Sequence, residues 1–270
     1  PWLPQYWHAS FDPEKGAGQA GYVYGPEPEA RFAELMSSAY KAARSVDKNI
    51  KVAGFNSSSE GDKWTRAILQ HGGLNACDII SYHHYTRRFA GGPGDVIEQG
   101  FKGAIGAILE QQPNLKHPVW LSEGSPTAGS IGSGMYKHTL PFIDDEDVID
   151  TSDRLARYLV SLLGQKVQKI FLYTMDTSLH FGARSEWRTL VTEEGYLHPC
   201  AAAHSALAWQ LEDASFVKRL DVGEGISAYL FEAKGRAVAV LSPAPNHGGL
   251  RLPKSKDVRY SDLFGNPVDA

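Results

Sequence analysis

A carboxylate, an imidazole and a phenol follow apolar runs that are typical of neighbouring β-strands. Glu123 comes directly after the run 119–122, and His83 and Tyr85 end the preceding run. An ionised carboxylate can act as a nucleophile, and donors such as an imidazole N–H or a phenol O–H keep it ionised. We therefore predict a polar cluster in which the Tyr85 hydroxyl lies within hydrogen-bonding reach of Glu123. A helix cap or a plain surface carboxylate is the alternative interpretation of Glu123.

Alternation along the strand separates the two adjacent histidines. Successive side chains of a strand point to opposite faces, so His83 shares a face with Tyr85 whereas His84 faces the covering helices. We interpret His84 as structural.

An alternation of strands and helices positions these residues. Short apolar runs predict strands over 50–55, 78–83, 118–122 and 169–173. Three- and four-residue spacings predict helices over 32–47, 62–70, 96–110, from a cap at Thr151 or Ser152, and from Pro199. The strands are too apolar to be half-exposed, which indicates a parallel sheet covered by helices. Because such sheets carry their sites at the carboxyl ends of the strands, the cluster lies where a substrate would bind.

The pattern changes after residue 211. Short strands separated by glycine turns are predicted over 216–220, 226–231 and 237–241. We predict two parts: an α/β part over 1–211 and a β-rich, antiparallel part over 212–270.

Composition excludes several classes of protein. The 270 residues are 42% hydrophobic and 21% charged, which is typical of a globular chain. The net charge is −4 and no block of Lys and Arg occurs, so we expect no nucleic-acid partner. No apolar run has the length of a membrane helix, so we expect no membrane partner. The two cysteines, Cys77 and Cys200, are interpreted as small core residues.

The order of these motifs resembles the second half of a retaining glycoside hydrolase of the clan with a (β/α)8 TIM barrel and two glutamates. Residues 1–7 resemble the continuation of the Asn-Glu-Pro motif that ends barrel strand four. The helix 32–47 followed by 49–52 is most similar to the β-xylosidase/α-L-iduronidase family or the related arabinofuranosidase families. The resemblance covers about residues 1–242, and the tail 260–266 resembles their C-terminal β-domain. It implies barrel strands five to eight with their helices, followed by antiparallel β-strands of an accessory β-sandwich domain.

The resemblance also implies roles for individual residues. Glu123 takes the place of the nucleophile, and His83 and Tyr85 match a pair on strand six whose tyrosine orients it. Candidate substrate-binding residues, for an oligosaccharide or polysaccharide, are Asn56, Trp7, Trp187 and Tyr173. Core or interface packing is the alternative for the two tryptophans, and a turn-forming role is the alternative for Asn56. No cofactor and no metal is implied.

One catalytic group is missing from the pattern. A retaining glycosidase needs a second carboxyl about 5 to 5.5 Å from the nucleophile. The resemblance implies that this acid/base glutamate immediately precedes Pro1. We therefore expect the residues to be the carboxyl-terminal half of a larger enzyme, inactive alone, with the N-terminal half as the expected partner.

Two other functions remain open. The chain could be a non-catalytic, carbohydrate-binding pseudoenzyme or fragment. It could instead be a metal-dependent barrel hydrolase using His83 and His84, although adjacent strand residues point to opposite faces and cannot easily share one ion. The acidic tract 144–147 lacks the alternating ligand spacing of a calcium site, so we predict a solvated loop there.

Overall fold

The computed structural model describes residues 8–11, 22–24, 27–58, 62–86, 96–126, 145–173, 190–191, 195–243 and 251–269. The α-helices in these residues are α1 (Pro28–Val46), α2 (Asp62–Gln70), α3 (Val96–Gln111), α4 (Asp145–Gly164) and α5 (Pro199–Gln210). A 3-10 helix spans Gly73–Ala76. The strands are β1 (His8–Phe11), β2 (Tyr22–Tyr24), β3 (Ala53–Ser58), β4 (Ile79–Thr86), β5 (Val119–Pro126), β6 (Lys169–Leu172), β7 (Ser215–Arg219), β8 (Ile226–Ala233), β9 (Arg236–Pro243), β10 (Tyr260–Ser261) and β11 (Pro267–Val268).

The sheet that carries the predicted cluster contains β3, β4, β5 and β6 in sequential order. β3 and β4 pair in parallel, with Ala53 opposite Ile79 and Gly54 opposite Ile80. In the described residues an α-helix lies between each of these strands and the next, as parallel pairing requires, because the chain must return to the same end of the sheet. Consecutive strands of a (β/α)8 barrel have this order. The predicted α/β class, with a parallel sheet followed by antiparallel strands, is confirmed.

β6 differs from the expectation of fully buried strands. It is the last strand in the order of the sheet, and its residues alternate between exposed and partly buried. Phe171 is 48% exposed, whereas Leu121 of β5, inside the sheet, is fully buried. The expectation of fully buried strands therefore does not hold for β6.

The chain divides into two compact units. The first comprises Pro1–His84 and Gln99–Ser122, and the second comprises Tyr85–Glu98 and Glu123–Ala270. The three dividing points fall within β4, α3 and β5. The division predicted at residue 211 rests on the change from parallel to antiparallel topology, and it stays a prediction.

Aromatic contacts in the first unit join one helix to another and one helix to a strand. Phe32 of α1 packs against Trp64 of α2 with ring centroids 5.3 Å apart. Tyr82 of β4 meets Phe101 of α3 edge to face at 5.9 Å. Such geometries suit the ring quadrupoles, so these pairs stabilise the packing of α1 on α2 and of α3 on β4.

Tyr229 is central to the core of the second unit. It forms a buried cluster with Val160 of α4, Leu211 and Phe231. The Tyr229 hydroxyl accepts a hydrogen bond from the Arg219 guanidinium at 2.8 Å. This cluster packs the antiparallel sheet β7-β8-β9 against α4.

A two-residue turn joins β8 to β9. Ala233 pairs with Arg236, so Lys234 and Gly235 form the whole loop. Their φ angles, 51° and 75°, are both positive, as a type I′ hairpin turn requires. The predicted antiparallel strands and their glycine turn are therefore present.

The predicted start of α4 is wrong. The helix begins at Asp145, not at a Thr151 or Ser152 cap, and Ser152 is a fully buried residue inside it. The predicted loop over the acidic tract is also wrong for residues 145–147, which are helical, while Asp144 lies outside the described residues. Acidic residues are favoured in the first turn of a helix, so an acidic tract is compatible with a helix start as well as with a loop.

Two short antiparallel pairs were not predicted. β1 pairs with β2 before the first predicted helix, and β10 pairs with β11 near the end of the chain. With two to four residues each, these strands are too short to show an alternating pattern.

Both cysteines are buried free thiols, as predicted. Burial raises the pKa of Cys77 to about 12 and that of Cys200 to about 11, so both thiols stay protonated. Among the helices of the described residues, none combines the length and hydrophobicity needed to span a bilayer.

Candidate active site

Tyr85 and Glu123 are in direct contact in the second unit. The Tyr85 hydroxyl donates a hydrogen bond to Oε1 of Glu123, as predicted from the sequence. Tyr85 lies near the end of β4, Glu123 lies in β5, and the two strands are neighbours in the sheet. Both residues are half-buried, so the carboxylate is held by a donor while part of its surface remains accessible. A carboxylate in this setting can accept a proton or attack an electrophilic carbon.

His84 packs on the opposite side of β4, as predicted. It is 4% exposed, and a Cβ built on Gly100 of α3 would lie 2.3 Å from its Cε1 atom. Glycine is therefore required at residue 100 for the imidazole to fit beneath the helix. Burial lowers the pKa of His84 to about 4, so the imidazole is neutral at pH 7.

Tyr82 shares that side of the strand. Its ring is fully buried, and burial raises the pKa of its hydroxyl. It is therefore a neutral core residue rather than part of the polar cluster.

A hydroxyl next to Glu123 links three strands in the first unit. The Ser122 Oγ of β5 lies 3.3 Å from Oδ1 of Asn56 and 3.2 Å from the carbonyl oxygen of Tyr82. Its single proton can be shared between these two acceptors, which belong to β3 and β4. Ser122 thus links the middle of β5 to β4 and β3, one residue before the carboxylate.

The sequence suggested that Asn56 follows the strand, but the structure places it inside β3. The register shifts between Phe55 and Ser57, which makes Asn56 part of a bulge. Phe55 and Asn56 both have positive φ, 69° and 46°. Asparagine tolerates this conformation, whereas for a bulky residue such as phenylalanine it is an outlier.

Tyr173 comes directly after β6. Its backbone N–H donates to the carbonyl oxygen of Gly124 at 2.9 Å, so it lies in register with the residue after Glu123. Its side chain is half-buried. A substrate contact by this ring stays a prediction.

The other predicted site residues are His83, Trp7 and Trp187. His83 is half-buried and belongs to the first unit. Trp7 and Trp187 lie outside the described residues. No group of three His, Cys, Asp or Glu residues that could hold a metal ion occurs in the part of the chain that the structure describes.

Ser122 is the residue that the sequence analysis missed. Its signal was its position, a hydroxyl residue immediately before the strand-end carboxylate in 120–124. A serine in a strand is common, however, and its partner Asn56 is 66 residues away in the chain. The bulge that brings the two together has no sequence signal of its own.

Comparison with solved structures finds a similar fold. The chain superposes on a family 39 glycoside hydrolase from the gut symbiont Bacteroides cellulosilyticus with a TM-score of 0.60 and 18% sequence identity, over 88% of this chain and 50% of that one. The chain thus spans about half the length of that structure. At this identity the similarity shows the fold alone, which the two share over most of this chain.

A second similarity is weaker. It is to a GH128 (subgroup VI) exo-β-1,3-glucanase from Aureobasidium namibiae, with a TM-score of 0.39 and 13% identity over 65% of this chain and 62% of that one. It is too weak to support an argument. No protein-family model matches the sequence, and no curated protein matches it.

Proposed function

We propose that the chain carries the nucleophile of a retaining glycoside hydrolase, and that this nucleophile is Glu123. The observation that carries the proposal is the hydrogen bond from the Tyr85 hydroxyl to the Glu123 carboxylate, at the carboxyl-terminal part of adjacent strands. Active sites of barrel enzymes lie at that end of the strands. The fold shared with a family 39 glycoside hydrolase adds support.

The proposed reaction proceeds in two displacements. A Glu123 oxygen attacks the anomeric carbon, the glycosidic C–O bond breaks, and a second carboxyl gives its proton to the departing oxygen. The second carboxyl, now ionised, then takes a proton from water, and the water oxygen displaces Glu123 from the anomeric carbon. The anomeric configuration is inverted twice and therefore retained.

Tyr85 is assigned a positioning role in this reaction. Its hydroxyl fixes one carboxylate oxygen and leaves the other to attack. When the covalent bond forms, the carboxylate loses its charge and the hydrogen bond weakens, and it strengthens again as the carboxylate leaves. His83 is proposed as a second catalytic group of the site, and Asn56, Trp7, Trp187 and Tyr173 as substrate contacts.

The second carboxyl is expected outside these residues. By resemblance to the two-glutamate clan, it immediately precedes Pro1. The assignment to the β-xylosidase/α-L-iduronidase or arabinofuranosidase families, and hence the choice of sugar, is a proposal that rests on the sequence resemblance.

The test is the substitution Glu123→Gln in the full-length protein, assayed on a panel of aryl glycosides. The amide keeps the shape of the side chain but lacks the charge that attacks the anomeric carbon. We expect kcat to fall by about three orders of magnitude or more, with KM changing far less, because other residues bind the sugar. Glu224→Gln, an identical change at an exposed glutamate of the second unit, is the matched control and should keep wild-type kinetics.

Each rival function has its own outcome. Wild-type kcat in the Glu123→Gln variant would refute the nucleophile. Oligosaccharide binding without turnover of any aryl glycoside by the wild-type protein would favour the pseudoenzyme. Activity that disappears with a chelator and returns with added metal would favour the metal-dependent hydrolase.

A further inference from the structure

A groove in the second unit is bordered by positively charged side chains. Lys254, Lys256 and Arg259 line it, together with Tyr260 of β10 and Gln210 at the end of α5. Its volume is about 740 Å³. Ligand sites have volumes of roughly 300–1,000 Å³, so the groove is large enough for a small organic ligand rather than a single ion.

The three cations are available to a ligand. All three are exposed, and none of them forms an ion pair with another residue in the described ranges. Among the residues that line the groove, Asp269 supplies the one carboxylate. The groove therefore carries an excess of positive charge on a chain whose net charge is −4.

A neighbouring carboxylate is already occupied. Asp262 accepts hydrogen bonds from the side-chain amide of Asn266 and from the backbone N–H groups of Phe264 and Asn266, all at 2.9 Å. These bonds, the Asn266 side chain first, lower the pKa of Asp262. The carboxylate of Asp262 is thus used within the turn between β10 and β11, and Asp269 remains the one carboxylate among the lining residues of the groove.

The frame of the groove is held by packing. A Cβ built on Gly265, whose φ is +85°, would lie 3.1 Å from Cβ of Ala206, so the turn is in close contact with α5. The Tyr260 hydroxyl donates to the Pro253 carbonyl oxygen at 2.7 Å, which fixes the segment that carries the lysines. These contacts fix the backbone that carries Lys254, Lys256 and Arg259.

Apolar surface lies between the charges. Val258 and Val268 line the groove and are 46% and 41% exposed. Ligand sites usually combine such apolar surface with a few polar groups that set orientation. The ligand that fits has negative charges spaced along a body with apolar faces, which describes a chain of sugar acids.

We propose that this groove binds a carboxylated oligosaccharide, with its carboxylates on Lys254, Lys256 and Arg259 and its C–H faces on Val258 and Val268. The proposal goes beyond the hydrolysis assigned to Glu123, because no residue of that site lines the groove. A nucleic acid fits less well, since three cations on an acidic chain neutralise few phosphates.

Titration calorimetry of the full-length protein tests the proposal, with tetragalacturonate as the probe and its methyl ester as the uncharged counterpart. We expect tetragalacturonate to bind, the methyl ester to bind far more weakly, and added salt to weaken binding. The triple variant Lys254→Gln, Lys256→Gln, Arg259→Gln should raise the Kd by about tenfold or more. The matched control Arg31→Gln, Lys41→Gln, Lys48→Gln removes three exposed cations of the first unit and should not change the Kd.

Several outcomes would refute the proposal that the groove binds a carboxylated oligosaccharide. They are absence of binding, equal binding of the methyl ester, equal loss of affinity in the control variant, and tighter binding of a single-stranded RNA oligonucleotide of the same charge. Aryl glycoside hydrolysis is measured in parallel. The groove variant should keep wild-type kcat and the Glu123→Gln variant should keep tetragalacturonate binding, so failure of the groove is distinguishable from failure of the proposed hydrolase.

Discussion

The Tyr85 hydroxyl donates a hydrogen bond to the Glu123 carboxylate from the neighbouring strand of the parallel sheet. A hydrogen bond to a charged acceptor is stronger than one between neutral groups, and it fixes the orientation of the acceptor. In a protein built only for stability, a half-buried carboxylate on a strand would be unfavourable, because its charge is partly removed from water. The pair therefore defines the place in this chain where chemistry is most readily proposed.

Removal of the phenol oxygen is the first prediction. Tyr85→Phe keeps the ring but deletes the hydrogen bond to Glu123. Hydrogen bonds to charged groups contribute about 1.5–3 kcal/mol, so we expect kcat/KM on aryl glycosides to fall by roughly 10- to 100-fold. The loss should be smaller than that of Glu123→Gln, because the nucleophile itself remains.

The control for this change is Tyr196→Phe, at a tyrosine that is 72% exposed. It should leave the kinetics at wild-type values. If both variants behave like the wild type, the Tyr85 hydroxyl has no positioning role.

Periodicity predicted the strands that carry the pair but not their ends: β4 continues to Thr86 and β5 to Pro126, so Tyr85 and Glu123 lie inside the strands and not after them. The apolar run before Glu123 predicts β5, and the spacing of apolar residues over 62–70 predicts α2 with its observed bounds. These patterns are reliable because burial of one face or both is what the elements need to form. The Tyr85–Glu123 contact followed from the parallel order of the strands and from the alternation that separates Tyr85 from His84.

Local backbone departures were not predictable in the same way. The bulge at Phe55 and Asn56 is a local departure in the pairing of β3 with β4, and no residue pattern predicts it. The early start of α4 was not predicted because an acidic tract is compatible with a helix start as well as with a solvated loop. Trp209 fits the apolar pattern of α5 but is 76% exposed.

The second prediction concerns the close contact between Gly100 of α3 and His84 of β4. In Gly100→Ala the new methyl would lie 2.3–2.4 Å from the His84 ring, so the ring or the helix must move. Overpacking of a core costs about 1–3 kcal/mol and outweighs the gain in helix propensity, so we expect a lower free energy of unfolding in urea.

The same helix provides the control. A methyl group added at Gly106 would meet no heavy atom within 4 Å apart from its chain neighbours and the backbone of its own helix, so Gly106→Ala should raise the free energy of unfolding by about 0.5–1 kcal/mol. Equal effects of the two substitutions, in either direction, would contradict the packing of His84 beneath Gly100.

The third prediction concerns the dependence of stability on pH, and it follows from the burial of His84. Its folded pKa is about 4, against 6.5 for an exposed imidazole. Between these values the unfolded chain binds a proton that the folded chain does not, so stability falls as the pH drops from about 6.5 to about 4. The loss attributable to His84 is about 3 kcal/mol when complete, and above pH 6.5 it is absent.

Urea unfolding at several pH values measures this loss. The variant His84→Leu has no titrating group at this position, so its free energy of unfolding should depend less on pH between 4 and 6.5 than that of the wild type. His71→Leu, at an exposed histidine, is the control and should retain the wild-type pH dependence. An unchanged pH dependence in His84→Leu would show that the imidazole is not buried as a neutral group.

The last prediction identifies the chemical role of Glu123 by the product that forms without it. In Glu123→Ala the carboxylate is replaced by a space next to the anomeric carbon, large enough for a small anion. Added azide should attack from the side that Glu123 occupied, break the bond to an activated aryl leaving group in one displacement, and give a glycosyl azide of inverted configuration. Proton NMR of the product mixture measures that configuration directly. A retained glycosyl azide would instead identify Glu123 as the acid/base residue, because the covalent intermediate would then form on another carboxylate and azide would attack that intermediate. Absence of any azide product, with wild-type turnover, would remove Glu123 from the reaction.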